Sequence, residues 1–258
     1  MNKKISILGC GWLGKALATE LVKKGYNVNG STTSPSKSSD LRSNGINPFI
    51  VDIEDKNLEI SDFLKADVLV IAITSKNLES FKNLIAEIEK SKLRKVVFVS
   101  STSVYPNTND VVTEATETLS TPLAAIEQLF SSNSSLESTI IRFGGLFGYD
   151  RKPGNFFKPG KAIDNPEGFV NFIHRDDCIQ IITQVMEQNA WNETFNACSP
   201  SHPTRRAFYT KERQKLGKTD ITFNEQSEND YKIVSSQKLM NMLNYAFRCK
   251  DLISGASE

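Results

Sequence analysis

Short apolar runs alternate with stretches of helical periodicity through the first 150 residues of the 258-residue chain. That pattern predicts a parallel sheet with helices on both faces. Residues 5–8 make a buried-strand run, after which Leu13, Ala16, Leu17 and Leu21 recur at the spacing of one helix face. Lys23, Lys24 and Gly25 close that helix with basic residues and a C-cap glycine. Second and third strands are predicted at 26–29 and 48–51, and the two most apolar strands at 68–73 and 96–99. Between the last two, Leu78, Phe81, Leu84, Ile85 and Ile88 form one face of a helix. A sixth strand is predicted at 136–142, after the serine-rich turn 131–135. Six such strands suit a doubly wound nucleotide-binding fold.

After Gly148 the pattern changes. Residues 149–166 carry three prolines and four Lys or Arg, the composition of a loop-rich excursion. Beyond it, strands are predicted at 169–173 and 195–197, and helices at 176–187, 204–216 and 237–243. The fold class expected is α/β, a doubly wound parallel (Rossmann) sheet with a small carboxy-terminal α/β cap. Residues 1–150 with 168–198 form the nucleotide domain in this reading, and 151–167 with 199–258 the substrate or cap region.

The glycine pattern gives the sheet a candidate chemistry. Gly9-Cys10-Gly11-Trp12-Leu13-Gly14 follows a predicted strand directly and opens a helix, the context that makes GxGxxG a dinucleotide fingerprint. Gly9 permits the tight turn, Gly11 lets the backbone approach a pyrophosphate, and Gly14 permits close helix–strand packing. The first helical N–H groups face the anion. Trp12 and Leu13 sit on this loop, Trp12 either shielding the cofactor or belonging to the core. The fingerprint's acid, roughly 20 residues on, would bind the ribose 2′-hydroxyl. Here that position reads Asn29-Gly30-Ser31-Thr32-Thr33-Ser34, with no acid before Asp40. Hydroxyls at Ser31, Thr32 and Thr33 and a cation such as Lys37 suit a 2′-phosphate, so the expected cofactor is NADP in preference to NAD.

Composition narrows the partners. The chain holds 31 basic and 30 acidic residues, a formal charge of +1, and 39% hydrophobic residues. That balance offers no cationic surface to nucleic acid or an anionic membrane. A small-molecule substrate is the expected partner, with the chain a monomer or a homodimer. Cys10, Cys178, Cys198 and Cys249 are widely spaced and His174 and His202 are the two histidines, so no metal site is expected. Lys3-Lys4 and the apolar run ending at Cys10 imitate a lipoprotein signal, but the run is shorter than the roughly 7–15 residues such a signal needs. A cytoplasmic location is expected.

Several segments together resemble the NAD(P)-dependent epimerase/dehydratase superfamily, the extended short-chain dehydrogenase/reductases. Asp52-Ile53 looks like the pair after the third strand that contacts adenine, and Ala72-Ile73 like the wall beside the cofactor after the fourth. Val97-Phe98-Val99-Ser100-Ser101-Thr102-Ser103-Val104-Tyr105 is similar to the fifth-strand signature, which by register puts Ser101 at the position that assists catalysis. Residues 141–148 resemble the Arg-containing sixth strand and its loop, and Phe172-Ile173-His174-Arg175-Asp176-Asp177 resembles the segment after the substrate region. The resemblance implies a Tyr-x-x-x-Lys acid/base pair on the helix after the fifth strand. Aligned on Glu127-Gln128, this sequence has Thr118 and Pro122 at those positions, and Pro122 suits the first residue of a shorter helix. That profile is similar to the atypical YeeZ-like branch of the superfamily.

The candidate catalytic residues are Ser101, either orienting a substrate oxygen or capping a turn, and Tyr105, either a replacement acid or a loop-shaping residue before Pro106. His174 suits a structural hydrogen bond, and Arg142 a pairing with Asp176 or Asp177. Arg151 and Lys152 either meet an anionic substrate or face solvent. The resemblance implies an NAD(P)-binding oxidoreductase or epimerase/dehydratase-like protein. The alternative is a non-catalytic dinucleotide sensor or regulator that has lost its acid/base pair.

Overall fold

The computed structural model describes residues 3–158 and 160–254. Along the first part run β1 (Lys4–Leu8), α1 (Trp12–Lys23), β2 (Asn27–Thr32), α2 (Ser38–Ser43), β3 (Asn47–Ile50), β4 (Val68–Ile71), α3 (Leu78–Lys90) and β5 (Lys95–Ser101). There follow β6 (Val111–Val112), α4 (Pro122–Ser131), β7 (Glu137–Phe143), β8 (Gly145–Phe147), β9 (Phe172–His174) and α5 (Arg175–Glu187). The chain continues through β10 (Thr194–Ala197), α6 (Arg205–Gln214), β11 (Ile233–Val234) and α7 (Gln237–Leu243).

Seven strands form one parallel sheet in the order β10-β7-β5-β4-β1-β2-β3, the Rossmann-type α/β fold expected. The order runs outward from β1 in both directions, so the chain reverses between β1 and β4. In open α/β sheets ligands bind at that switch point, beyond the carboxyl ends of the strands. Strands β1 and β4 pair from Ile5 opposite Val68 to Leu8 opposite Ile71. All four residues of β4 are buried, as an apolar strand covered on both faces must be.

Two compact units divide the chain. Unit 1 comprises Met1–Ser100, Ser120–Ile141 and Ile179–Thr194, and unit 2 comprises Ser101–Leu119, Arg142–Cys178 and Phe195–Glu258. In unit 1, Phe81 of α3, Phe98 of β5 and Phe130 of α4 meet edge-on or stacked, with centroids 5.2–6.1 Å apart. In unit 2, Phe172 stacks on Phe208 at 5.0 Å, with Tyr209 edge-on beside them.

Local chemistry explains the helix starts. The Asn77 side chain accepts from the N–H groups of Glu79 and Ser80 at the start of α3. Thr121 caps α4 by accepting from the Ala124 N–H, and Pro122 takes the first helical position, as its sequence suggests. Strand β2 runs to Thr32, beyond the predicted 26–29, through buried polar residues that find partners. The Asn29 amide donates to the Ser6 hydroxyl at 3.1 Å and accepts from the Asn47 amide at 3.0 Å. The short elements α2, β6, β8 and β11 lie in stretches too brief for any periodic signal.

Phe130 is fully buried and Leu119 is 44% exposed. Phe130→Ala is expected to cost about 3–5 kcal/mol in urea unfolding, and Leu119→Ala no more than about 0.5 kcal/mol.

Candidate functional site

Strand β1 delivers Gly9 to the switch point with φ +96°, and a Cβ there would lie 2.5 Å from Ile73 Cγ2 and 2.8 Å from the Ala72 carbonyl. Only glycine fits so close to the end of β4. A Cβ on Gly14 would lie 2.1 Å from the Gly9 carbonyl oxygen, so the first turn of α1 lies directly on the loop. Gly11, the N-cap of α1, differs: no heavy atom lies within 4 Å of its would-be Cβ. The loop is therefore packed on its inner side and open at Gly11. No acidic residue occupies the first turn of α1 and no side chain caps it, an arrangement that favours an anion at this helix end.

Ser31 holds the loop against β2. Its hydroxyl oxygen accepts from the Gly9 N–H at 2.9 Å, and its carbonyl accepts from the Cys10 N–H at 2.7 Å. Within unit 1 the loop closes one side of a cleft of about 420 Å³. Of the residues singled out in the sequence, Gly9, Gly11, Ser31, Thr32, Thr33, Asp52, Ile53, Ala72 and Ile73 line this cleft, with Lys37. Trp12, Leu13 and Gly14 do not: Leu13 and Gly14 are buried beneath the loop, and Trp12 is half-buried in the first turn of α1. Cys10, Glu54, Thr74 and Ser75 line it too and were not singled out. Each stands within two residues of one that was, which is the signal that would have found them.

The charges of the cleft wall are specific. Asp40, the first acid after β2, pairs with Lys15 at 2.5 Å and is not part of the cleft wall. Glu54 lines the wall beyond β3 and accepts from the Ser75 hydroxyl at 2.8 Å. The Asp52 carboxylate accepts from the Glu54 N–H at 3.0 Å. Burial pushes the Cys10 thiol up to about 12, which keeps it neutral. An open helix N-terminus beside hydroxyls and a cation fits a dinucleotide: Gly11 and the α1 N–H groups would hold its pyrophosphate.

The candidates after β5 lie in unit 2. Ser101 accepts from the Ser103 N–H at 3.1 Å, capping the 3-10 turn 102–104, and its hydroxyl keeps its own hydrogen to donate. Tyr105 is buried, accepting from Arg142 Nη1 at 2.6 Å and donating to Asn196 Oδ1 at 2.8 Å. Burial raises its phenol despite the Arg142 charge. Lys232 Nζ, half-buried, donates to the Tyr105 carbonyl at 2.6 Å. Arg142 thus packs on Tyr105, whereas Asp176 and Asp177 take other donors. Asp177 accepts from the Tyr245 hydroxyl at 2.6 Å and from the N–H groups of Arg248 and Cys249. Asp176 accepts from the Tyr149 hydroxyl at 2.9 Å. Tyr105 reaches Arg142 from a loop 37 residues away along the chain. His174 Nδ1 accepts from the Asp176 N–H at 3.3 Å, and burial lowers its pKa. Arg151 and Lys152 are exposed.

Helix α4 begins at Pro122, so Thr118 precedes the helix and Pro122 stands at its first turn. Neither can supply a phenol or an amine. The buried Glu127 on the same helix accepts a hydrogen bond from the Ser100 hydroxyl, tying α4 to the end of β5.

Fold and cleft together define a Rossmann-type dinucleotide-binding protein. Residues 9–189 match the NAD(P)H-binding family, and the chain belongs to it. It is similar to protein YeeZ of Escherichia coli K12, with 30% identity over 267 residues, covering 96% of this chain and 97% of that protein. This relative bears out the YeeZ-like resemblance read from the sequence. Among solved structures, a functionally unknown conserved protein from Silicibacter pomeroyi superposes with TM-score 0.82 at 18% identity, covering 99% of this chain and 97% of its own. UDP-glucuronic acid 4-epimerase from Bacillus cereus, in complex with UDP-glucuronic acid and NAD, superposes with TM-score 0.79 at 20% identity, covering 98% and 96%. No helix among the described residues is long and apolar enough to cross a membrane.

The glycines yield paired predictions. Gly11→Asp is expected to leave unfolding within about 0.5 kcal/mol of the parent, while its carboxylate repels the pyrophosphate and abolishes dinucleotide binding by calorimetry. Gly14→Ala is expected to destabilise by about 1–3 kcal/mol through overpacking against Gly9.

Proposed function

We propose that this protein binds NADP(H) in preference to NAD(H) and serves as an oxidoreductase or epimerase/dehydratase-like enzyme on a small-molecule substrate. The observation that carries the preference is the ribose end of the cleft. There Thr32, Thr33 and, in the turn that follows β2, Lys37 line the wall, while the nearest acid along the chain, Asp40, is tied to Lys15 and the wall's own acids, Asp52 and Glu54, lie beyond β3. The nicotinamide of a bound dinucleotide would supply hydride transfer. The chain's own part is to hold the pyrophosphate at Gly11 and the α1 N-terminus and the 2′-phosphate at Lys37 and the hydroxyls. Ser101, with a hydrogen left to donate, is the residue we assign to orienting a substrate oxygen.

Fluorescence titration tests the preference. NADPH is expected to bind about tenfold tighter than NADH, the effect of a charge-assisted contact worth about 1.4 kcal/mol. Lys37→Glu is expected to reverse the order, and tighter NADH binding by the parent chain refutes the preference.

A second reading, a sensor that binds the dinucleotide without turning it over, draws support from α4. Its start at Pro122 leaves neither a phenol nor an amine where the superfamily carries its acid/base pair. Hydride-transfer assays across aldehydes, ketones and nucleotide sugars separate the two. Turnover that falls in Ser101→Ala supports the enzyme, and tight binding with no turnover supports the sensor.

A further inference from the structure

Unit 2 holds a cavity of its own, about 310 Å³, whose wall includes Lys158, Lys161, Arg213, Thr219, Asp220 and Thr222. The cleft that holds the glycine loop is walled entirely by residues of unit 1, so the two are separate. The Lys161 N–H donates to the Lys158 carbonyl at 3.2 Å, which holds the two lysine backbones near each other. Neither ammonium has a carboxylate or hydrogen-bond partner among the described residues.

Arg213 adds a buried charge to the same wall. Its side chain is 6% exposed, Nη1 donates to the Gly154 carbonyl at 3.3 Å, and Nη2 pairs with Asp220. Its Nε–H is buried with no partner, so the guanidinium is one acceptor short. Asp220 is the one carboxylate in the wall and is already committed to Arg213. Three cations against one carboxylate leave two positive charges in excess. Thr219 and Thr222 line the same wall.

We infer that this cavity binds the phosphoryl or diphosphoryl group of a small metabolite. Two lysine ammoniums and a guanidinium in excess of one carboxylate match a doubly charged polyanion better than a monovalent carboxylate. The inference does not depend on the cofactor preference or on turnover.

Isothermal titration calorimetry of the full chain at low ionic strength tests it, with inorganic pyrophosphate, inorganic phosphate, glucose 1-phosphate and acetate as probes. Pyrophosphate is expected to bind about tenfold or more tighter than acetate, and glucose 1-phosphate at least as tightly as phosphate. The Lys158→Ala/Lys161→Ala double variant, altered only at exposed side chains, is expected to lose at least about tenfold in pyrophosphate affinity. Its melting temperature and NADPH affinity should be unchanged. Gly11→Asp, which blocks the glycine loop, is expected to retain the site. The inference is overturned by no pyrophosphate binding, by undiminished binding in the lysine variant or by its loss in Gly11→Asp. Acetate matching pyrophosphate, or glucose 1-phosphate binding far more weakly than phosphate, also overturns it.

Discussion

The nucleotide cleft depends on one close approach, that of the Gly9 backbone to the end of β4 and to the first turn of α1. Side chains at Gly9 or Gly14 would meet backbone oxygens at 2.8 and 2.1 Å, so the loop lies flat only because both are glycine. Ser31 then fixes it laterally, accepting from Gly9 and Cys10 through its hydroxyl and carbonyl. With the loop pinned on its inner side, the α1 N–H groups are aimed before any ligand arrives. Binding an anion there requires little ordering of the protein, which is the energetic advantage of a preorganised site.

Helix α4 rests on a different constraint. It starts at Pro122, capped by Thr121, so Thr118 lies on its approach and Pro122 in its first turn. The buried Glu127 and Ser100 anchor that helix to the end of β5. Burial and buried hydrogen bonds together hold this part of the scaffold.

Unit 2 is organised by buried polar groups. Asp177 takes three donors, and Tyr105 is held between Arg142 and Asn196. Such groups are tolerated in an interior only when bonded, and once bonded they specify which loops meet. Arg213, one acceptor short beside two lysines without a carboxylate partner among the described residues, departs from that rule and marks the cavity of unit 2.

The long elements and the glycine loop were legible in the sequence because each depends on local order. A helix face needs apolar residues at fixed spacing, a buried strand needs an apolar run, and GxGxxG needs only its flanking strand and helix. The shorter start of α4 could likewise be read from Pro122. Tertiary structure alone decided the rest. Short strands such as β6 and β11 exist only because they pair with each other across more than 100 residues. Arg142 meets Tyr105 because a distant loop delivers the phenol. Lys37 lines the cleft while Asp40, three residues on, is drawn away by Lys15. Spacing carries information about neighbours along a helix or strand, but the partner of a side chain is set by packing between segments far apart in the chain.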